Sequence, residues 1–123
     1  MTAGDDTRFL AARPNLHVED VERSVAFYRD LLGFDTKTLM GEPPSFALLV
    51  REGAEIALVR EENRAPTGCY IYVTGVEALH EHCQASGVRI TYPLTLEPWG
   101  LLNFVIEDPD GHQIAIGERR DES

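Results

Sequence analysis

No apolar run in the chain approaches the roughly 18 residues a membrane-spanning helix needs. Cysteine is scarce. Cys69 and Cys83, the only two, form neither a CxxC nor a zinc-ligand pattern, and read as reduced, buried thiols of a cytoplasmic protein. Basic residues are outnumbered, 11 Lys and Arg against 21 Asp and Glu, for a formal net charge of −10. Such a surface repels phosphate backbones and anionic lipid, which argues against nucleic-acid and membrane partners. It either draws cationic ligands from a distance or serves only to keep a small protein dissolved. There is no glycine-rich phosphate loop, no Ser-His-Asp set in a known context and no paired-carboxylate motif. The opening stretch MTAGDDTRFLAARP carries acids where a signal peptide would carry bases and an apolar core, so a cytoplasmic location is expected.

What is present suffices for one folded domain. At 123 residues and 13.7 kDa, area scaling leaves roughly 6,600 Å² exposed and buries about two-thirds of the unfolded surface. Residues 1–11 are polar with little periodicity and read as a flexible N-terminus, and 119–123 as a polar tail. Between them, 12–118 forms one domain. Asn15-Leu16-His17-Val18 alternates as a half-buried strand does. Asp20 can cap a helix in which Val21, Val25, Tyr28 and Leu32 make one apolar stripe, closed by Gly33. A strand from about Phe34 precedes a break at Gly41–Pro44, and 46–50 with 55–60 reads as a hairpin. The order then repeats. Tyr70–Val73 predicts a strand, Thr74 and Glu77 a capping box, and Val76, Leu79 and Cys83 a helical stripe ending at Gly87. A strand over 88–92 leads into a loop through Trp99-Gly100, and 103–107 with 113–117 predicts a second hairpin around Asp108-Pro109-Asp110-Gly111.

Val18 matches Val73, Gly33 matches Gly87, and Gly53 with Ile56 matches Gly111 with Ile114. The chain is thus two βαβββ repeats, about 12–60 and 68–118. Each repeat exposes a sheet face that its single helix only partly covers. Side by side they predict an α+β fold: one curved mixed β-sheet, helices outside, a concave cavity inside.

His17-Val-Glu-Asp-Val-Glu-Arg-Ser-Val-Ala-Phe-Tyr-Arg-Asp-Leu-Leu-Gly-Phe34 resembles the opening of the vicinal-oxygen-chelate superfamily, and Pro98-Trp-Gly through Asp-Pro-Asp-Gly-His112 its closing segment. That superfamily includes glyoxalases, extradiol dioxygenases and bleomycin-resistance proteins. The resemblance covers about residues 12–118 and implies a homodimer. It also implies four positions where the enzymes hold a divalent ion. These fall on Arg13, Ala57, Gly68 and Ala115, none of which can ligate a cation through its side chain. No metal or other cofactor is therefore expected. What remains resembles the metal-free, bleomycin-resistance-like branch, which implies capture of a small aromatic or cationic molecule without catalysis. Strand parity sends Cys69, Ile71 and Val73 toward the helix and Tyr70 and Tyr72 toward the cavity. It also aligns Arg13, Asn15 and His17 in one cavity-facing row, with Gln113 and Ala115 opposite. With Trp99, the expected ligand contacts are Arg13, Asn15, His17, Tyr70, Tyr72, Trp99 and Gln113.

Several of these residues have plainer roles open to them. Arg13 could clamp an anionic group or pair with Glu55 in the vacant metal position. Tyr70 and Tyr72 could stack on a planar ligand or against a second subunit. His80 and His82 fit a solvated helix face, and His112 an exposed hairpin position. The alternative function is a glyoxalase-like lyase, isomerase or dioxygenase, with relocated metal ligands or with His17 as acid and base.

Overall fold

The structure is a computed structural model describing residues 6–120. Residues 1–5 of the expected flexible terminus and 121–123 of the expected tail lie outside the described residues. Residues 7–14 form no helix or strand. From there the chain runs β1 (Asn15–Val18), α1 (Val21–Leu32), β2 (Asp35–Met40), β3 (Phe46–Arg51), β4 (Ala54–Arg60), β5 (Gly68–Tyr72), α2 (Val76–Ser86), β6 (Ile90–Leu96), β7 (Leu101–Glu107) and β8 (Gln113–Arg119). The two βαβββ modules are as expected. Their strands, however, form two separate four-stranded sheets, ordered β1-β4-β3-β2 and β5-β8-β7-β6, rather than one hydrogen-bonded sheet. In each, the first strand runs parallel to the last and the others are antiparallel, so β1 and β5 are free edges.

Local chemistry explains α1 well. Asp20 accepts from the Arg23 amide at 3.2 Å, satisfying one orphan donor of the first turn. Gly33 sits at φ 73°, and the amides of Gly33 and Phe34 return to the carbonyls of Arg29 and Tyr28, a Schellman closure. Gly33 is needed twice over. A β-carbon there would press on the Arg51 guanidinium, whose Nη1 donates to Leu32 O at 2.7 Å. Val21, Tyr28 and Leu32 are buried with Leu31, while Val25 packs against the core from its margin.

The second module departs from expectation at three points. First, Thr74 does not cap α2. Gly75 is the cap residue, at φ 78°, with no side-chain cap bond of its own. The Gly75 and Val76 amides instead donate to Glu118 Oε1 of β8, at 3.0 and 3.1 Å. Second, β6 spans 90–96, so Pro93 lies inside it. The missing N–H is tolerated because β6 is an edge strand and its register against β7 shifts there. Third, β8 extends to Arg119, into the expected tail.

The modules are joined by side chains of the β7–β8 turn. Asp108 Oδ1 accepts from the Asp110 and His112 amides, while Oδ2 accepts from the Tyr28 hydroxyl of α1 at 2.7 Å. Burial, then the Asp108 charge, pushes the Tyr28 phenol far above its ordinary range. Asp110 takes the Glu19 amide, the Ser24 hydroxyl and Arg64. His112 is only 1% exposed, against the hairpin-surface expectation. Its Nδ1 accepts from the Thr67 amide, so Nε2 carries the hydrogen donated to His17 O at 2.7 Å. The Asp-Pro-Asp-Gly-His run thus stitches the β1 edge to its neighbour. The other repeat has Arg51-Glu52-Gly53-Ala54 at the matching turn and Cys83 where Tyr28 stands, and among the described residues the side chains of that turn bond only within their own module.

Candidate ligand-binding cleft

Where the clasp is missing, the modules part around a cleft of about 1200 Å³. That is ample for a drug-sized molecule. Its walls are β5, the end of α1, the β3–β4 turn, the start of α2 and the end of β8. Strand parity positions β5 as expected. Cys69, Ile71 and Val73 pack toward the core, whereas Tyr70 and Tyr72 are 38% and 62% exposed. The two rings lie 4.9 Å apart between centroids, tilted by 42°.

Neighbours set the pose of this pair. Tyr70 lies across β8 at Gly117, where any β-carbon would collide with its hydroxyl. The hydroxyl accepts from Asn103 Nδ2 of β7 at 2.8 Å. Asn103 is only 7% exposed, and its Oδ1 has no hydrogen-bond partner among the described residues. The Arg119 guanidinium lies over the Tyr72 ring, 5.7 Å from its centroid. A glycine inside the apolar run Gln113–Arg119 was the sequence signal for such a close approach. Asn103 and Arg119 gave none that local pattern could reveal.

The cleft's charged groups are largely committed. Arg51 is held by Leu32 O and by Glu52 at 3.5 Å, and Asp30 by Arg29 at 2.9 Å. Hydrogen bonds from the Val76 amide and from Arg120 hold the Glu118 carboxyl below its ordinary range. His82 does not simply face solvent: its Nε2 meets Leu31 O at 3.0 Å, joining α2 to the end of α1. His80 likewise packs edge-on against Phe104, ring centroids 5.0 Å apart. Glu55, half-buried, makes no hydrogen bond or ion pair among the described residues. Burial, with the Asp108 charge adding, pushes the Cys69 thiol up to about 11, and burial alone does the same for Cys83. Both cysteines are unpaired.

Of the seven expected ligand contacts, only Tyr70 and Tyr72 line this cleft. Arg13, Asn15 and His17 share an exposed row, as parity predicts, but on the other sheet. Arg13 forms no pair with Glu55 among the described residues; its guanidinium rests 5.9 Å from the Phe46 ring centroid. Gln113, on the sheet of Tyr70, is tied up by Thr91, Glu107 and Gly111. Trp99 is 66% exposed in the β6–β7 turn. The four positions at which the resemblance implies metal ligands carry Arg13, Ala57, Gly68 and Ala115. Among the described residues no three His, Cys, Asp or Glu side chains come together as a metal-holding group. A dication does not fit this donor set.

Residues 11–116 match the family model for the glyoxalase/bleomycin resistance protein/dioxygenase superfamily. The chain belongs to this superfamily. A bleomycin resistance protein from Geobacillus stearothermophilus is 30% identical over 87% of this chain and 95% of its own length. Among solved structures, TioX from Micromonospora sp. ML1 superposes with a TM-score of 0.79 at 21% identity, covering 87% of this chain and 96% of that one. A lactoylglutathione lyase from Agrobacterium tumefaciens gives 0.76 at 17% identity, covering 89% and 92%. At such identities the structural likenesses establish the fold alone. Binding proteins and enzymes share it, so function has to be argued from the site. No helix among the described residues is long and apolar enough to cross a membrane.

Proposed function

We propose that this superfamily member is a non-catalytic, metal-free binding protein of the bleomycin-resistance type, sequestering a small aromatic or cationic molecule. The observation that carries the reading is the exposed Tyr70–Tyr72 pair at the wall of the inter-module cleft. Two aromatic faces held by Gly117, Asn103 and Arg119 favour stacking on a planar ligand. The curated relative named for bleomycin resistance supports it from outside the site. The protein works in the cytoplasm as a homodimer. In favour of the dimer, large apolar side chains stand exposed on the second module, Leu96 at 61% and Trp99 at 66%. Trp99 and the Arg13 row would reach a ligand only through a second subunit.

Calorimetry with bleomycin, on protein stripped with a chelator, tests the reading. Binding in the micromolar range or tighter, lost at least tenfold in Tyr72→Ala, is the expected result. Near-stoichiometric zinc, nickel, manganese or iron in purified protein, with chelation lowering the melting temperature, would instead favour a metalloenzyme. Sedimentation at micromolar concentration tests the dimer; a single 13.7 kDa species would refute it.

A further inference from the structure

His112 grips the junction between the modules with both ring nitrogens, and it can do so in one protonation state only. Nδ1 accepts from the Thr67 amide at 2.9 Å, just ahead of β5, and Nε2 donates to His17 O of β1 at 2.7 Å. A neutral imidazole with its hydrogen on Nε2 supplies that acceptor and that donor, whereas an imidazolium has donors alone. A proton on Nδ1 therefore sets two N–H groups against each other. The Thr67 hydroxyl lies 3.4 Å from the same nitrogen and can accept the new hydrogen once the Thr67 amide has turned aside. The Thr67 carbonyl meanwhile accepts from the Gln113 amide at 2.8 Å, where the β5–β8 ladder begins. Any such turn thus falls at the very start of β5.

The ring is only 1% exposed, and its charged and titratable neighbours are otherwise employed. Asp108 holds the His112 amide on Oδ1 and the Tyr28 hydroxyl of α1 on Oδ2. Asp110 is engaged by Arg64, which precedes β5, and by Arg23 of α1, with Glu19 pairing to both arginines. Cys69 of β5 is a thiol near the Asp108 charge, and the His17 side chain of β1 is exposed. Among the described residues none of these offers Nδ1 an acceptor.

We propose that His112 is a proton-operated latch: neutral, it fastens the start of β5 to β1, and protonated, it drops the Thr67 amide and frees that stretch. The closed junction needs the neutral ring and an open one does not, so opening and proton uptake are linked. Histidine is the side chain whose charge ordinarily changes between pH 5 and 8, which gives the latch a working range near neutrality. Tyr70 and Tyr72 stand on the same strand, so the freed stretch leads into the cleft wall. The latch belongs to the fold and does not depend on what the cleft binds.

NMR on the full chain tests it, following the His112 ring nitrogens and amide hydrogen exchange from pH 8 to 5. In wild type the ring should begin as the Nε2–H tautomer. As it protonates, Thr67 should lose about tenfold in protection, corrected for intrinsic exchange, while the β3–β4 amides keep theirs. His112→Gln, which has a donor and an acceptor but no charge to gain, should abolish that pH dependence. A ring that protonates with Thr67 still protected overturns the latch, as does a ring that stays neutral to pH 5. So does the same loss in His112→Gln, or a loss shared by every amide at once. Should His112→Gln not fold, the ring and Thr67 measurements on wild type decide alone.

Discussion

The Tyr28 hydroxyl of the first module donates to Asp108 Oδ2 of the second across 2.7 Å, and this buried bond anchors the clasp between the repeats. Tyr28→Phe keeps the ring contacts with Phe27 and Phe34 but leaves the Asp108 oxygen short of a donor. Bonds to charged acceptors contribute about 1.5–3 kcal/mol, so urea denaturation should show a loss of that size. A loss under ~0.5 kcal/mol would mean the clasp does not hold the modules together.

Gly117→Ala tests how Tyr70 is posed. The added methyl must displace the Tyr70 hydroxyl or shift β8, at a cost of roughly 1–3 kcal/mol. The Tyr70 hydroxyl would also lose Asn103 Nδ2. Thermal denaturation reads the first effect, and the Tyr70 ring resonances read the second.

Glu118 gives the pH dependence a sign. Its carboxyl is held below its ordinary range, chiefly by the Val76 amide. A group with a lowered folded value contributes stability in full above its unfolded value and loses it as pH falls through the folded one. Protection of the first amides of α2 against hydrogen exchange should therefore decline as pH drops below the ordinary carboxylate range. In Glu118→Gln that decline should be absent, after correction for the pH dependence of intrinsic exchange.

Both thiols, pushed up to about 11 by burial, are protonated at neutral pH. Iodoacetamide at pH 8 should leave them largely unmodified in the folded protein and alkylate both in urea. Rapid labelling of native Cys69 would show that β5 is more open than described.

Where the determinants lie close along the chain, the sequence was readable. The stripe of Val21, Val25, Tyr28 and Leu32, the Asp20 cap, the Gly33 closure and the alternation along β5 all follow from residues close together along the chain. The readings that failed depend on distant partners. Thr74 looked like a cap because nothing local shows that Glu118, 42 residues from Val76, would supply the carboxylate instead. Pro93 looked like a strand end because sequence does not say that its strand lies at a sheet edge. His112 looked exposed because its partners are Thr67 and His17 O. The site divides in the same way. Tyr70 and Tyr72 followed from parity, whereas the cleft lies beside the Arg51–Ala54 turn, which lacks the groups with which Asp108–His112 grips its neighbour, a difference that shows only once the two turns are placed in the fold.

The most direct test of the central claim is to follow the tyrosine ring and Trp99 indole resonances of chelator-stripped protein during titration with benzamidinium. The account predicts saturable shifts at Tyr70 and Tyr72, with no added metal. Shifts confined to the Arg13–His17 strand, or appearing only after a transition metal is restored, would contradict it.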